Sequence, residues 1–186
     1  MKRDQVGFTL IELLITTVVL AILIAMAAPS FQTMILNSHS EAVGESLVNA
    51  IQVTKTEAVK RGRRVSLCAA NNAGNACAND WTNGWIIFVD EAATDEAAAP
   101  VVGDVLRHTS DFDDATQITA TNNGATNFVR FTSTGQLGRI GGPANTASVV
   151  VNSFVEGCQG PRQRDITVGV AGMIDVEEVD CSGTSP

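Results

Sequence analysis

A single carboxylate, Glu12, lies inside an apolar run that covers residues 8–28, and its type and position suggest a specific chemistry. On membrane-insertion scales, a carboxylate at the centre of an apolar helix costs roughly 2.5–3.5 kcal/mol, so it needs a compensating interaction. The run contains no lysine or arginine. Glu12 therefore predicts electrostatic pairing with a positive charge that another molecule supplies within the membrane.

A second candidate site is the stretch 160–164, which reads Gly-Pro-Arg-Gln-Arg. Two arginines two positions apart at the start of a strand, Arg162 and Arg164, point to the same face of a sheet and could contact successive phosphates of DNA. The alternative is that both guanidinium groups pair with Asp165 or with the acidic residues near the C-terminus. We favour this pairing, because Glu156 and Asp165 lie close by in the sequence.

Four cysteines, Cys68, Cys77, Cys158 and Cys181, form an even set in a chain whose apolar run predicts export. In such a chain disulfides are favoured over free thiols. Of the three connectivities we expect nearest-neighbour pairing, Cys68 with Cys77 and Cys158 with Cys181, each bond contributing about 3 kcal/mol in the chain-entropy model. A zinc site is disfavoured because there is no Cys-x-x-Cys and neither histidine lies near a cysteine.

The sequence carries no catalytic constellation. It has no Gly-x-Ser-x-Gly, no P-loop, no dinucleotide-binding glycine pattern and no His-Glu-x-x-His. The formal charge of −8 also disfavours general binding of nucleic acid outside a local basic patch. We therefore predict a protein that is not an enzyme and that needs no cofactor and no metal.

The apolar run must be a helix to position Glu12, and residues 8–28 would then extend about 32 Å, which matches the hydrocarbon core of a bilayer. Lys2 and Arg3 precede the run, so the positive-inside rule places them in the cytoplasm and the remaining chain outside. The alternatives are a cleaved secretory signal, for which 25–27 offers an Ala-Met-Ala site, and an ordinary single-pass anchor. Neither alternative explains Glu12.

Residues 7–14, Gly-Phe-Thr-Leu-Ile-Glu-Leu-Leu, resemble the signal of type IV pilins and type II secretion pseudopilins. The resemblance implies that a prepilin peptidase cuts after Gly7, removes residues 1–7 as a leader and methylates the new amino group of Phe8. It also implies that Glu12 pairs with the N-terminal amine of a neighbouring subunit. That amine is the positive charge that a carboxylate in an apolar run requires.

A second helical segment, residues 29–62, is predicted after the apolar run. Pro29 stands where the pilin family kinks its helix, and proline disfavours helix at the preceding residue, so we expect a kink or a short break there. Farther along, apolar or small side chains recur at steps of three and four and predict one buried stripe: Val43, Leu47, Ala50, Ile51, Thr54 and Ala58. Gly62 suits the position after a helix end, and we interpret the basic residues around it as a solvated helix end rather than an anion site.

From residue 63 onward the pattern changes to a period of two. Short β-branched or aromatic runs predict strands at 65–68, 85–89, 101–108, 117–121, 128–132, 148–155 and 165–170, with 173–176 pairing back as a hairpin. The acidic, alanine-rich segment 90–100 predicts a loop. We expect an α+β, pilin-like fold, with a long N-terminal helix packed on a mainly antiparallel β-sheet in a β-rich head, residues 63–186.

The head is similar to the globular domain of the FimT/FimU-type minor pilins, relatives of the H-type pseudopilin of type II secretion. The residues that carry this likeness are Cys68, Cys77, Asp80, Trp81, Gly84, Trp85, Phe88 and Asp90. From their residue type alone, we interpret Trp81 and Trp85 as residues that pack in the core and loops rather than as ligand-binding residues.

The likeness implies a minor type IV pilin, a noncatalytic subunit that contributes to pilus assembly or to a tip or priming complex. Its implied partners are the prepilin peptidase, other major and minor pilins, and the bacterial inner membrane, which it would cross once with a periplasmic head before joining a pilus. Two alternatives stay open: an H-type pseudopilin, and a pilin that binds double-stranded DNA for natural transformation. The DNA-uptake branch carries a C-terminal Gly-Arg-x-Arg motif, which 160–164 resembles except for the intervening proline.

Overall fold

The computed structural model describes residues 8–110, 112, 115–122, 125–142, 144 and 147–181, with the backbone alone at 25–30, 122, 125 and 126. The chain divides into two compact units, residues 1–35 and 36–186. One helix and nine strands are assigned within the described residues: α1 Leu10–Arg61, β1 Val65–Ala69, β2 Trp85–Asp90, β3 Val102–Thr109, β4 Thr116–Asn122, β5 Ala125–Thr126, β6 Phe128–Phe131, β7 Val149–Val155, β8 Gln163–Val168 and β9 Ile174–Val179.

Helix α1 includes both predicted helical segments as one element. Helical backbone continues through Pro29, so the short break that we considered there is not present, and a kink at Pro29 stays a prediction. Within the part of the chain that the structure describes, no helix combines the length and the apolar composition needed to cross a membrane. The transmembrane segment at residues 8–28 accordingly stays a prediction.

The C-terminus of α1 closes at the predicted glycine. Gly62 has a φ of 61°, and its amide donates to the Val59 carbonyl at 3.3 Å while the Arg63 amide donates to the Ala58 carbonyl at 3.3 Å. These two bonds form a Schellman motif, which satisfies carbonyl groups that the helix leaves without partners. Glycine is favoured at this position because the left-handed conformation has no steric cost without a Cβ atom.

The strands form two antiparallel sheets, whereas the sequence pattern predicted one. The four-stranded sheet has the order β3-β2-β1-β6, and the five-stranded sheet has the order β5-β4-β7-β8-β9. The strand bounds agree with the predicted runs to within two residues, except that β9 ends three residues beyond its predicted run and that the short strand β5 was not predicted. The final hairpin is confirmed as β8 paired with β9, Val168 opposite Ile174.

A difference in burial distinguishes the two sheets. Strand β7 alternates between buried and half-buried residues, so one face of the five-stranded sheet meets the core. Strands β1, β2 and β6 are buried at every position, because their other face packs on a second small cluster that includes Ile86, Phe88 and Ile140. The uninterrupted apolar runs in β1 and β2 are the sequence signal for this two-sided burial.

The predicted stripe of α1 is confirmed as the centre of the main core. All six stripe residues are buried, and Leu47, Ile51, Thr54 and Ala58 have no exposed surface. The same apolar cluster contains Leu67 and Val129 from the four-stranded sheet, and Val151 and Ile166 from the five-stranded sheet. The helix is therefore the element that joins both sheets into one core.

We predict that Ile51→Ala lowers the free energy of unfolding of the unit Leu36–Pro186 by about 2–5 kcal/mol, because it leaves a cavity between the helix and both sheets. Val59→Ala is the matched control, since Val59 lies on the same helix but is 52% exposed. Urea unfolding of both variants measures the difference. Equal losses in the two variants would show that the stripe is not the centre of the core.

Candidate functional site

The start of α1 presents a continuous apolar surface. The Thr9 hydroxyl accepts a hydrogen bond from the Glu12 amide at 3.3 Å and so caps the helix. The large apolar side chains around and after this cap are each 50–83% exposed: Phe8, Leu10, Ile11, Leu13, Leu14, Ile15, Val18, Val19, Leu20, Ile22, Leu23 and Ile24. An exposed apolar surface of this extent marks contact with a membrane or with other proteins.

Glu12 differs from the other polar side chains in this surface. Thr16 and Thr17 donate to the carbonyl oxygens of Leu13 and Leu14 at 2.9 Å, which satisfies their hydroxyl groups within the helix. The Glu12 carboxylate forms no ion pair with any residue that the structure describes. Gly7, the predicted cleavage position, lies outside the described residues, while Phe8 is described and is 82% exposed.

Glu12 also fits a local structural role that the sequence analysis missed. The spacing Thr9-x-x-Glu12 is that of a capping box, and a carboxylate in the first turn complements the helix dipole. Glutamine serves equally well in a capping box. A capping role therefore requires a hydrogen-bonding side chain at position 12, whereas pairing with an amine requires the negative charge.

The cysteines and tryptophans of the head have structural roles. The structure joins Cys68 to Cys77 and Cys158 to Cys181, which is the nearest-neighbour connectivity. Trp81 and Trp85 are 3% and 1% exposed and belong to the main core, so the packing interpretation is confirmed. The Trp85 ring stacks on Phe112 with 4.6 Å between centroids.

A buried ion pair between Asp90 and Arg130 was not found from the sequence. Neither side chain has exposed surface, and Arg130 Nε donates to Asp90 Oδ2 at 2.7 Å. Asp90 also accepts hydrogen bonds from the Ser66 hydroxyl and from the amides of Ala92 and Val101, at 2.6, 3.0 and 3.0 Å. Burial alone would raise the pKa of the Asp90 carboxyl, but these four donors outweigh burial and hold the pKa below its ordinary value of 3.8.

Arg130 fixes the predicted acidic loop that follows β2. Its remaining guanidinium nitrogens donate to the carbonyl oxygens of Asp95, Ala97 and Ala99, at 3.2, 2.7 and 3.0 Å. Strand β6 reads Phe-Val-Arg-Phe, so a charged residue stands between buried apolar neighbours. The sequence signal for the ion pair was this arginine within an apolar strand, because a buried charge needs a partner. The loop after β2 supplies that partner.

The basic residues at the end of α1 divide into two groups. Lys60 and Arg61 pair with Glu57, and Arg63 lies 3.9 Å from Glu91; the three cations are 42–72% exposed, as a solvated helix end predicts. Arg64 departs from this expectation, since it is only 28% exposed.

Arg64 connects the end of α1 to the loop after β2. Its Nη1 lies 3.1 Å from the Asp95 carboxylate, and its Nη2 donates to the Ala92 carbonyl oxygen. The loop is therefore held from two directions, by Arg64 and by Arg130.

Arg162 and Arg164 take part in ion pairs within the head rather than forming an open cationic patch. Arg162 pairs with Glu41 of α1, and Arg164 Nη2 lies 3.0 Å from Glu178 of β9. The Arg164 side chain is 11% exposed and its stem contacts Gly44, so both arginines face the helix. The acidic C-terminal partner of Arg164 is confirmed, whereas the partner of Arg162 is a helix residue that the sequence did not indicate.

Two family models match the chain. One, described as type II transport protein GspH, matches residues 43–172, and the other, described as the prokaryotic N-terminal methylation motif, matches residues 2–28. The former covers the stripe of α1 and eight of the nine strands, so it includes most of the head.

Two solved structures, both of the type IV minor pilin FimU of Pseudomonas aeruginosa in different crystal forms, have a similar fold. One is 20% identical with a TM-score of 0.52, and it covers 76% of this chain and 87% of that chain. The other is 22% identical with a TM-score of 0.50, and it covers 73% of this chain and 90% of that chain. The predicted pilin-like fold, a long helix packed on antiparallel sheets, is thereby confirmed.

We predict that Asp90→Asn lowers the free energy of unfolding by about 3–5 kcal/mol at neutral pH, because it leaves the Arg130 charge buried without a counterion. Since the folded-state pKa of Asp90 lies below 3.8, its contribution is present above that pH and is lost as the pH falls further. Urea unfolding between neutral pH and about pH 3 measures both effects. The matched control, Glu91→Gln, removes an exposed neighbouring carboxylate and should change stability little; similar losses in both variants would contradict this account.

The ion pairs of Arg162 and Arg164 predict that double-stranded DNA does not bind through this pair, because each guanidinium group already has a carboxylate partner within the head. A gel-shift titration of the wild type and of the double variant Arg162→Ala with Arg164→Ala measures this. We expect no salt-sensitive binding that depends on the two arginines. Salt-sensitive binding by the wild type, lost in the double variant, would instead support the DNA-uptake alternative.

Proposed function

The chain belongs to the family of the type II transport protein GspH, and on that premise we propose that it is a minor type IV pilin, a noncatalytic subunit of a pilus or of its priming complex. The observation that carries the proposal is the carboxylate of Glu12, which lies within an exposed apolar helix surface and pairs with no residue that the structure describes. The match to the N-terminal methylation motif supports the same conclusion.

The proposed mechanism begins with processing of the N-terminus. A prepilin peptidase removes residues 1–7 and methylates the amino group that is then exposed on Phe8. A secondary amine of this kind is protonated at neutral pH, so the mature chain carries a positive charge at its first residue and a negative charge at Glu12. The two charges lie four positions apart on one chain, and each is complementary to the other charge on a neighbouring subunit.

The second step is packing of α1 against other pilin helices. The exposed apolar side chains of residues 8–24 offer a large contact area to neighbouring helices. Apolar contact is not directional, so it does not fix the axial position of one helix relative to another. The pairing of Glu12 with the neighbouring amine fixes that position, because an unpaired charge in an apolar assembly costs several kcal/mol. Helix packing thus stabilises the assembly, and the charge pair sets its register.

The head completes the proposed subunit. The two disulfides and the Asp90–Arg130 pair hold its loops, so it presents fixed surfaces to neighbouring subunits. We place the subunit in the bacterial inner membrane, with residues 8–28 as the single span and the head in the periplasm, until it joins the pilus.

An H-type pseudopilin of type II secretion is the second candidate, and the match to the GspH family model favours it. Both candidates use the same N-terminal processing and the same helix packing. They differ in the assembly that depends on the protein. Deletion of the chain should reduce surface pili in the first case and export of secreted enzymes in the second.

We predict that Glu12→Gln reduces co-purification with other pilin subunits by roughly tenfold or more, because it removes the charge that pairs with the amine. The Thr9 cap uses the backbone amide of residue 12, and glutamine also suits this position of a capping box, so the start of α1 should be unchanged. The measurement is the amount of co-purified pilin subunits per molecule of the variant. Glu45→Gln, an exposed carboxylate on the same helix, is the matched control and should behave as wild type.

If Glu12→Gln co-purifies as efficiently as wild type while Glu12→Ala does not, position 12 acts only as a helix cap and the proposed pairing is wrong. Circular dichroism of both variants establishes whether the helix is intact. Processing after Gly7 is measured separately by mass.

A further inference from the structure

Strand β9 is an open edge of the five-stranded sheet. Among the described residues it pairs only with β8. The Gly169 amide donates to the Met173 carbonyl at 2.8 Å, which makes this opposed pair a hydrogen-bonded one. Because hydrogen-bonded and non-hydrogen-bonded pairs alternate along an antiparallel ladder, the backbone groups of Ile174, Val176 and Glu178 face away from β8. These groups are free to accept another strand.

A groove runs beside this edge on the side that faces α1. Its volume is about 700 Å³, and its lining consists of Gln52, Lys55, Thr56, Val59, Lys60 and Ile174. Val59, which lines the groove, is 52% exposed, and Val176 of β9 is 41% exposed, so this edge of the sheet offers apolar surface to solvent. A strand added to β9 would direct every second side chain over this groove, because alternate side chains of a strand point to opposite faces.

The opposite face of the same edge is acidic. Asp175 and Glu177 of β9 are exposed, and Glu177 lies directly opposite Asp165 of β8. Like charges in opposed positions destabilise a sheet, and none of the three carboxylates forms an ion pair with a described residue. The isolated chain therefore keeps a repulsion that a cationic neighbour would relieve.

We propose that β9 is a docking edge for an extended segment of another pilin-type subunit, one in which apolar side chains alternate with lysine or arginine. The apolar side chains would cover the groove, and the cations would face Asp175 and Glu177. A second copy of this chain does not fit, because antiparallel pairing of two β9 strands would place carboxylates against carboxylates. The inference rests on the proposed function for the nature of the partner, and it names the surface and the chemistry by which one neighbour is selected.

The test uses the full chain in detergent and three fluorescent peptides of about seven residues. The first reads Thr-Val-Lys-Val-Lys-Val-Thr, the second has the same composition with the valines and lysines in separate blocks, and the third has glutamate in place of lysine. Fluorescence anisotropy at low salt measures binding. We expect that the first peptide alone binds, that salt weakens it, and that hydrogen exchange at the Ile174, Val176 and Glu178 amides slows when it is bound.

Three variants examine the surface itself. Asp175→Lys with Glu177→Lys should weaken binding of the first peptide roughly twofold to thirtyfold, the fold-change expected for two cross-strand charge pairs. Glu45→Lys with Asp104→Lys changes the net charge equally at exposed positions elsewhere and should bind as wild type. Val176→Pro removes one outward amide while leaving the β8 bonds in place, and it should also weaken binding.

Equal weakening in both charge-reversed variants, equal binding of the first two peptides, or absence of binding by the first peptide would overturn the docking edge. If Val176→Pro does not form its disulfides or differs from wild type in its circular dichroism spectrum, the variant is misfolded. The comparison of the two charge-reversed double variants then tests the docking edge. N-terminal processing and the effect of Glu12→Gln do not depend on β9, so failure of this inference is distinguishable from failure of the proposed function.

Discussion

The burial of one stripe of α1 between two sheets is the interaction on which the rest of the structure depends. Leu47 and Ile51 belong to one apolar cluster with buried residues of both sheets, so neither sheet has a complete core without the helix. The same helix continues upstream to Leu10, where its apolar side chains have no such cover. One sequence thus forms a helix whose later part stabilises its own head and whose earlier part is available to other molecules.

Charged residues of the head connect separate elements of its fold. Asp90 and Arg130 are fully buried and bring the loop after β2 against the four-stranded sheet. Arg162 pairs with α1, and Arg164 packs its stem on the helix while its guanidinium pairs with β9. Arg162 and Arg164, which resemble a phosphate-binding motif in the sequence, therefore connect secondary-structure elements. Each lies beside a carboxylate from another part of the chain.

Local periodicity explains how much of this fold could be predicted from the sequence. The α1 stripe, the Gly62 terminus and the main strands each leave a pattern within a few adjacent residues. The division into two sheets depends on pairing between distant strands, and the Asp90–Arg130 and Glu41–Arg162 pairs join residues 40 and 121 positions apart. No local pattern encodes such partners. A charged residue within an apolar strand, as at Arg130, indicates only that some partner exists.

Assembly through Glu12 requires that Phe8 become the first residue of the mature chain, since only then does an amine exist for Glu12 of a neighbour to bind. The most direct measurement is the mass of the protein isolated from the membrane or the filament, with its N-terminal peptide sequenced by mass spectrometry. The account predicts a chain that begins at Phe8 and carries one N-methyl group. A chain that retains Met1, or one that begins at Ala28, would contradict it.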